Sequence, residues 1–190
     1  MTGKIAASGN LNTLLKADGS VLDLSIDSSS FNNLFMYCHA LVDASELLLP
    51  ATTLSYGCYN MMFYGCSSLT QAPKLPATTL AEDCYCFMFY NCTSLTKAPE
   101  LPATGLDEDR SYYNNMFCCC KSPFTFPDKT FDEVANLIQN QYLIGSEGAW
   151  GYYDEYDNFI IINPVEIICS DKTMLAMFNE DEWTWTITEK

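Results

Sequence analysis

The hexapeptide LPATTL at residues 49–54 returns at 75–80 and again, as LPATGL, at 101–106, two steps of 26 residues. Between these copies, CYNMMFYGCSSLTQAPKLP at 58–76 is answered by CYCFMFYNCTSLTKAPELP at 84–102. Self-similarity at a fixed period of about 20 to 50 residues marks an array whose units stack, since one such unit cannot bury its apolar face alone. The period therefore predicts a solenoid. It assigns no chemistry.

The array extends beyond the two strong copies. SFNNLFMYCHAL at 30–41 aligns with CYNMMFYGCSSL at 58–69, which sets Phe35 under Phe63, Cys38 under Cys66 and Leu41 under Leu69. Phe89, Cys92 and Leu95 continue these columns, and Phe117 and Cys120 end them, giving about four coils. Upstream, residues 1–30 read as an entry cap. Asn10 before LNTLL offers an N-cap for a short helix, and Leu22, Leu24 and Ile26 alternate with Asp23 and Ser25 as in a half-buried strand.

Within a unit, Leu54, Cys58 and Met62 stand four apart, as do Leu80, Cys84 and Met88, which predicts a short core-facing helix on a convex side. The segments SLTQAPKLP and SLTKAPELP that come next carry prolines, so they predict short strands or extended turns lining a concave side. Leu69, Pro73 and Leu75 recur unchanged as Leu95, Pro99 and Leu101, whereas Gln71 becomes Lys97 and Lys74 becomes Glu100. Positions that exchange charge between units face water. Gln71, Lys74, Lys97 and Glu100 are therefore candidate contact residues.

A second region, 127–190, succeeds the array and cap of 1–126. Thr130 and Glu133 fit a capping box, and Phe131, Val134, Leu137, Ile138 and Tyr142 make one apolar stripe over roughly three turns. Short β-rich runs, NFIIIN, VEIIC, MLAMF and EWTWTIT, come after it, with Trp183, Trp185 and Ile187 alternating with threonines. The expected module is a helix with a β-meander that closes the array.

The charge balance removes several functions. With 9 Lys and Arg against 24 Asp and Glu, the net charge of −15 disfavours phosphate backbones and anionic lipid surfaces. No apolar run approaches the roughly 18 residues of a membrane span. The start, MTGKIAASGN, lacks the basic and then apolar build of an export signal, so an intracellular chain or a piece of a longer one is expected.

Ten cysteines track the repeat: Cys38, Cys66, Cys92 and Cys120 form one column, Cys58 and Cys84 a second. A residue recurring once per coil stacks on itself, which predicts buried reduced thiols serving as small apolar side chains. In the second column, helices packed about 8–10 Å apart would block a bridge. Cys118, Cys119 and Cys120 lack CxxC spacing, and His39 is the one histidine, so zinc is a poor reading.

MFYGCSSL at 62–69 and MFYNCTSL at 88–95, each preceded by CY and leading into APxLPATxL, resemble the BspA-type leucine-rich repeats of surface proteins from gut and oral Bacteroides-like bacteria. SGNLNTLL resembles the segment that precedes such arrays. The resemblance implies an α+β fold, a leucine-rich-repeat solenoid of about four coils. It also implies a non-enzymatic, surface-displayed or secreted protein, in some members an adhesin. It covers a little over half of the chain and does not reach 127–190.

No set of residues assembles an evident catalytic group. His39 takes the place of Ser67 and Thr93 and reads as a variant at an exposed turn. DEYDN at 154–158 offers hard oxygens for calcium but lacks the glycine and closing glutamate of an EF-hand loop. Around it, Trp150, Tyr152, Tyr153 and Tyr156 could hold a sugar or protein, or simply pack a small β module. The expectation is therefore a non-enzymatic interaction protein, without metal or cofactor, that binds a protein or glycan and no nucleic acid. A structural spacer in a large surface or phage tail protein is the alternative.

Overall fold

Residues 3–14, 28–107, 110–121, 123–141, 143–144, 151–153, 159–161, 165–179 and 184–190 are described by the computed structural model. The expected strand at Leu22 to Ile26 lies outside them, as do Trp150, Tyr156, the DEYDN loop and Trp183. Strand β1 (Ile5–Asn10) runs into a single 3-10 turn, Leu11–Leu14, in place of a helix after Asn10. β1 pairs in parallel with β2 (Leu41–Leu48).

The repeats do not form the α+β leucine-rich-repeat solenoid that the period and the resemblance predict. Among the described residues there is one α-helix, and it lies after the repeats; the rest is β-strand and turn. The cause is the sign of φ. Tyr59 and Met61 stand at +61° and +53°, Gly57 and Gly65 at +66° and +70°, Asp83, Phe87 and Asn91 at +61°, +56° and +57°. An α-helix needs an unbroken run near φ −63°, so a residue in the left-handed region every second or fourth position forbids it.

What forms is a ribbon of overlapping turns. The N–H groups of Met62, Tyr64 and Cys66 bond back to the carbonyls of Tyr59, Met61 and Phe63 at 3.2, 3.0 and 3.0 Å. The intervening N–H groups point out of the ribbon and into the next unit: Met61 to Cys86, Phe63 to Met88 and Gly65 to Tyr90, at 2.9, 2.9 and 2.8 Å. The previous unit does the same through Asn33, Phe35 and Tyr37, and the next through Phe87, Phe89 and Asn91. Thus the backbone polar groups are satisfied half within a unit and half between units.

Side chains stack with the backbone. Phe35, Phe63, Phe89 and Phe117 make one column with ring centroids 5.3, 5.4 and 5.7 Å apart, and Phe31, Tyr59, Tyr85 and Tyr113 a second at 5.8, 6.0 and 6.0 Å. In the cysteine column each thiol donates to the carbonyl of the phenylalanine in the preceding unit, Cys66 to Phe35, Cys92 to Phe63 and Cys120 to Phe89, at 3.1, 3.2 and 3.3 Å. All ten cysteines are free. The argument from helix spacing falls with the helices; carbonyl bonds and burial are what occupy these sulfurs.

Beyond the repeats, β3 (Phe124–Thr125) leads to α1 (Phe131–Gln141), then β4 (Gly151–Tyr153), β5 (Phe159–Ile161), β6 (Val165–Ile168), β7 (Thr173–Asn179) and β8 (Thr184–Glu189). One sheet has the order β3-β6-β7-β8, parallel at β3-β6 and antiparallel after it; β4 and β5 pair separately. The Glu133 carboxylate accepts from the Thr130 N–H at 2.8 Å and the Glu133 N–H donates to the Thr130 hydroxyl at 3.4 Å, the two bonds of the expected capping box. Val134, Leu137 and Ile138 are the buried stripe of α1.

This region covers the last repeat unit. The Phe117 N–H, which in earlier units would reach another unit, donates to Leu143 at 3.1 Å. Phe124 and Phe126 meet the Phe117 ring at 5.1 and 5.5 Å. Buried Gln141 accepts from Tyr112 N–H at 3.1 Å and donates to the Asp107 carbonyl at 3.2 Å. No described helix is long and apolar enough to cross a membrane.

Candidate functional site

After its turn ribbon, each unit continues as an extended limb: residues 42–54, 70–80, 96–106 and 124–127. Neighbouring limbs are bonded at two of three junctions. Between the first and second, the Thr70 N–H donates to Val42, the Ala44 N–H to Gln71 and the Leu54 N–H to Thr79. Between the third and fourth, the Ala98 N–H donates to Thr125 and the Thr125 N–H to Thr96, and Thr125 passes the ladder to Ile168 of β6. Between the second and third, no backbone bond joins 70–76 to 96–102 among the described residues. Those two units are held by their turn ribbons and lie open along their limbs.

Proline contributes to the opening. Pro73 and Pro76 face Pro99 and Pro102 in the same columns, so both walls lack donors at matching positions. The limb of the first unit carries no proline over 41–49, and the fourth presents Phe124 and Thr125 between Pro123 and Pro127. Each bonded junction has one proline pair in register, Pro50 with Pro76 and Pro99 with Pro127, whereas the unpaired junction has two, Pro73 with Pro99 and Pro76 with Pro102.

The opening is a groove of ≈ 490 Å³ whose walls are residues 70–76 and 96–100, with Pro102 and Asp128 at its margin. All four charge-exchanging positions are exposed and line it: Gln71 and Lys74 on one wall, Lys97 and Glu100 on the other. Lys74 and Glu100 are column neighbours of opposite charge, yet they make no ion pair within 4.0 Å among the described residues; the cations that do are Arg110, Lys172 and Lys190. Leu75 and Leu101 point into the core beneath, and no aromatic ring among the described residues lines the groove. The end holding Gln71 and Lys97 carries one positive charge, while the end holding Lys74 and Glu100, with Asp128 beside them, carries one net negative charge.

The sequence singled out these four residues because they vary between units, but it held no sign of Asp128, which enters from beyond the array. Of the aromatic candidates, Tyr152 and Tyr153 do not line the groove. Tyr152 and Tyr153 lie on β4, paired with Ile160 and Phe159, and Trp150 and Tyr156 lie outside the described residues.

Other chemistry-bearing groups are placed as structural parts. The His39 Nδ1 meets the Ser67 hydroxyl at 3.1 Å, and the Thr93 hydroxyl donates to the Ser67 carbonyl, so the column of the histidine is a surface contact between units. No carboxylate bonds that ring among the described residues. Cys118 and Cys119 bring their sulfurs within 3.5 Å, but both are buried, and their mutual hydrogen bond and burial push the Cys118 thiol far above its ordinary range. A nucleophile or soft-metal ligand needs the thiolate, which this site disfavours. Among the described residues no three His, Cys, Asp or Glu side chains are grouped to hold a metal ion. Buried Asn32 Oδ1 and Tyr59 Oη lack hydrogen-bond partners among the described residues, and neither residue lines the groove.

A second depression of ≈ 470 Å³ runs between 103–106 and α1, but its buried polar group, Gln141, is fully engaged in tying α1 to Tyr112 and Asp107. No family model, curated protein or solved structure matches the chain.

Proposed function

We propose that this chain is a non-enzymatic recognition protein that contacts a protein or glycan partner through the groove between its second and third repeat units. The unpaired limbs carry the reading: polar backbone and two lysines without ion-pair partners among the described residues stand at the one junction where, among those residues, the ladder is interrupted. Buried polar backbone is normally paired, so a gap open to solvent costs little when empty and offers ready bonds when filled. The likeness of MFYGCSSL and MFYNCTSL to repeats of surface-displayed proteins supports an adhesion-type role outside the cell.

Spacer use is the weaker reading. Ring columns advance by 4.8 to 6.0 Å per unit, whereas 26 residues of α-helix would span about 39 Å. Length is an inefficient use of this sequence.

The test is the charge-reversed variant Lys74→Glu/Lys97→Glu beside Trp150→Ala/Tyr153→Ala, each screened against the wild-type chain on protein and glycan arrays. Loss of about tenfold or more in binding by the lysine variant, with an unchanged melting temperature, supports the groove. Binding lost only in the aromatic variant moves recognition to residues 150–156. Binding unchanged in both sinks the groove reading.

A further inference from the structure

Resting on the groove reading, we infer that the occupant is an extended polypeptide segment of low net charge carrying a carboxylate, which lies along the two limbs and bonds to their backbone. The walls decide between polypeptide and sugar. Carbohydrate sites favour aromatic platforms, and among the described residues this groove has none; its polar capacity is main chain together with a few charged side chains. The N–H groups of Ala72, Lys74 and Leu75 on one wall, and of Lys97, Glu100 and Leu101 on the other, have no backbone acceptor among the described residues, while the backbone of Gln71 is bridged to Asp43 of the first limb. An extended chain presents alternating N–H and C=O groups that can pair with such unbonded backbone.

Length and charge narrow the class. A seven-residue limb such as 70–76 spans at most about 25 Å, so the groove takes a segment of about six to eight residues. Lys97 faces Gln71 and has no acid across from it, so a carboxylate belongs at that end. Lys74 faces Glu100 and Asp128 lies beside them, so the other end takes no second acid. The net charge of −15 repels polyanions at long range, which excludes an acidic tract and leaves a local carboxylate in a nearly neutral segment. Buried and exposed side chains alternate at Leu75 and Pro76 and at Leu101 and Pro102, so the core side of each limb is closed and an occupant reaches the limbs from the solvent side.

The experiment uses the full chain and the fluorescein-labelled peptide acetyl-Val-Thr-Glu-Thr-Val-Thr-amide, monitored by fluorescence anisotropy and by two-dimensional NMR of the labelled protein. The expected result is saturable binding with shifts confined to 70–76 and 96–102. Alternate N-methylation of the peptide backbone, replacement of its Glu by Gln, or Lys97→Glu in the protein each weakens binding by about tenfold or more. Equal binding of the N-methylated peptide, or shifts elsewhere, overturns the backbone mode. Equal binding of the Gln peptide overturns the carboxylate. Absence of peptide binding, while a glycan on the array still binds in a manner sensitive to Lys74→Glu/Lys97→Glu, overturns the polypeptide class and leaves the groove as a sugar site. If neither probe binds, the groove reading falls with it.

Discussion

Gly65 shows how one residue sets the stack. It sits at φ +70°, and a Cβ built there meets Cδ1 of Tyr37 in the preceding unit at 2.5 Å. The Tyr37 ring is half exposed and can swing aside, so the lasting cost of Gly65→Ala is left-handed strain together with the lost edge contact to Tyr64. We expect destabilisation of about 1–2 kcal/mol by denaturant titration. Gly105→Ala, at φ +66° with open space around it, is the control for strain alone. The cysteines make a second residue-scale prediction. Burial pushes the thiols of Cys66 and Cys84 up to about 12 and that of Cys169 to about 11, from an ordinary 9. A proton held more tightly in the folded state stabilises it below the unfolded pKa, and that contribution is lost as pH rises through the folded value. Stability should thus fall between about pH 9 and 12, and iodoacetamide at pH 8 should alkylate the column thiols slowly until denaturant is added. A flat alkaline stability curve would show that these sulfurs are solvated.

At the scale of elements, helix α1 begins where Thr130 and Glu133 meet, and the β6–β7 turn docks there: Asp171 accepts from Phe131 N–H at 2.8 Å and Lys172 lies over the Phe131 ring at 5.6 Å. Thr130→Ala should cost about 1 kcal/mol in thermal or chemical unfolding. The Thr130 N–H holds the Glu133 carboxyl below its ordinary range, so the stability it adds is present at neutral pH and is lost as pH falls through that lowered value. This helix was legible because its signals, a capping pair and a stripe of Val134, Leu137 and Ile138, are local. The turn ribbon was not. Leu54, Cys58 and Met62 at four-residue spacing fit a helix face and equally fit overlapping three-residue turns, and nothing in the names Tyr59, Met61 or Phe87 announces a positive φ. Asn33, Asp83, Asn91 and Gly65 tolerate that region and were the available hint. In the groove, charge exchange marked Gln71, Lys74, Lys97 and Glu100, but the missing bonds between their limbs depend on two prolines meeting two others across a junction, which is a tertiary fact.

For the whole molecule, the repeat array depends on the C-terminal region that covers its last unit. Cutting the chain after Cys120 removes Leu143, Phe124, Phe126 and Gln141, leaving the Phe117 and Tyr112 N–H groups without their acceptors and the Phe117 ring covered only on its Phe89 side. We expect aggregated or partly unfolded material by size-exclusion chromatography and circular dichroism; a soluble, cooperatively melting fragment would overturn this. The bonds between turn ribbons also have a direction. Donors in an earlier unit reach acceptors in a later one, from Asn33 to Asn60, Met61 to Cys86 and Phe87 to Asn114, and the reverse bond from Tyr59 to Ser30 is the exception. On the limbs the directions alternate and cancel, as between Thr70 and Val42 and between Ala44 and Gln71. Peptide dipoles on the ribbon side therefore add, with their positive end toward the fourth unit, as they do toward the first turn of an α-helix. From Asp107 onward the chain carries sixteen acids and five bases. The acid-rich half is thus joined to the electropositive end of the stack, and the field of the backbone offsets part of the self-repulsion that its sequence builds in.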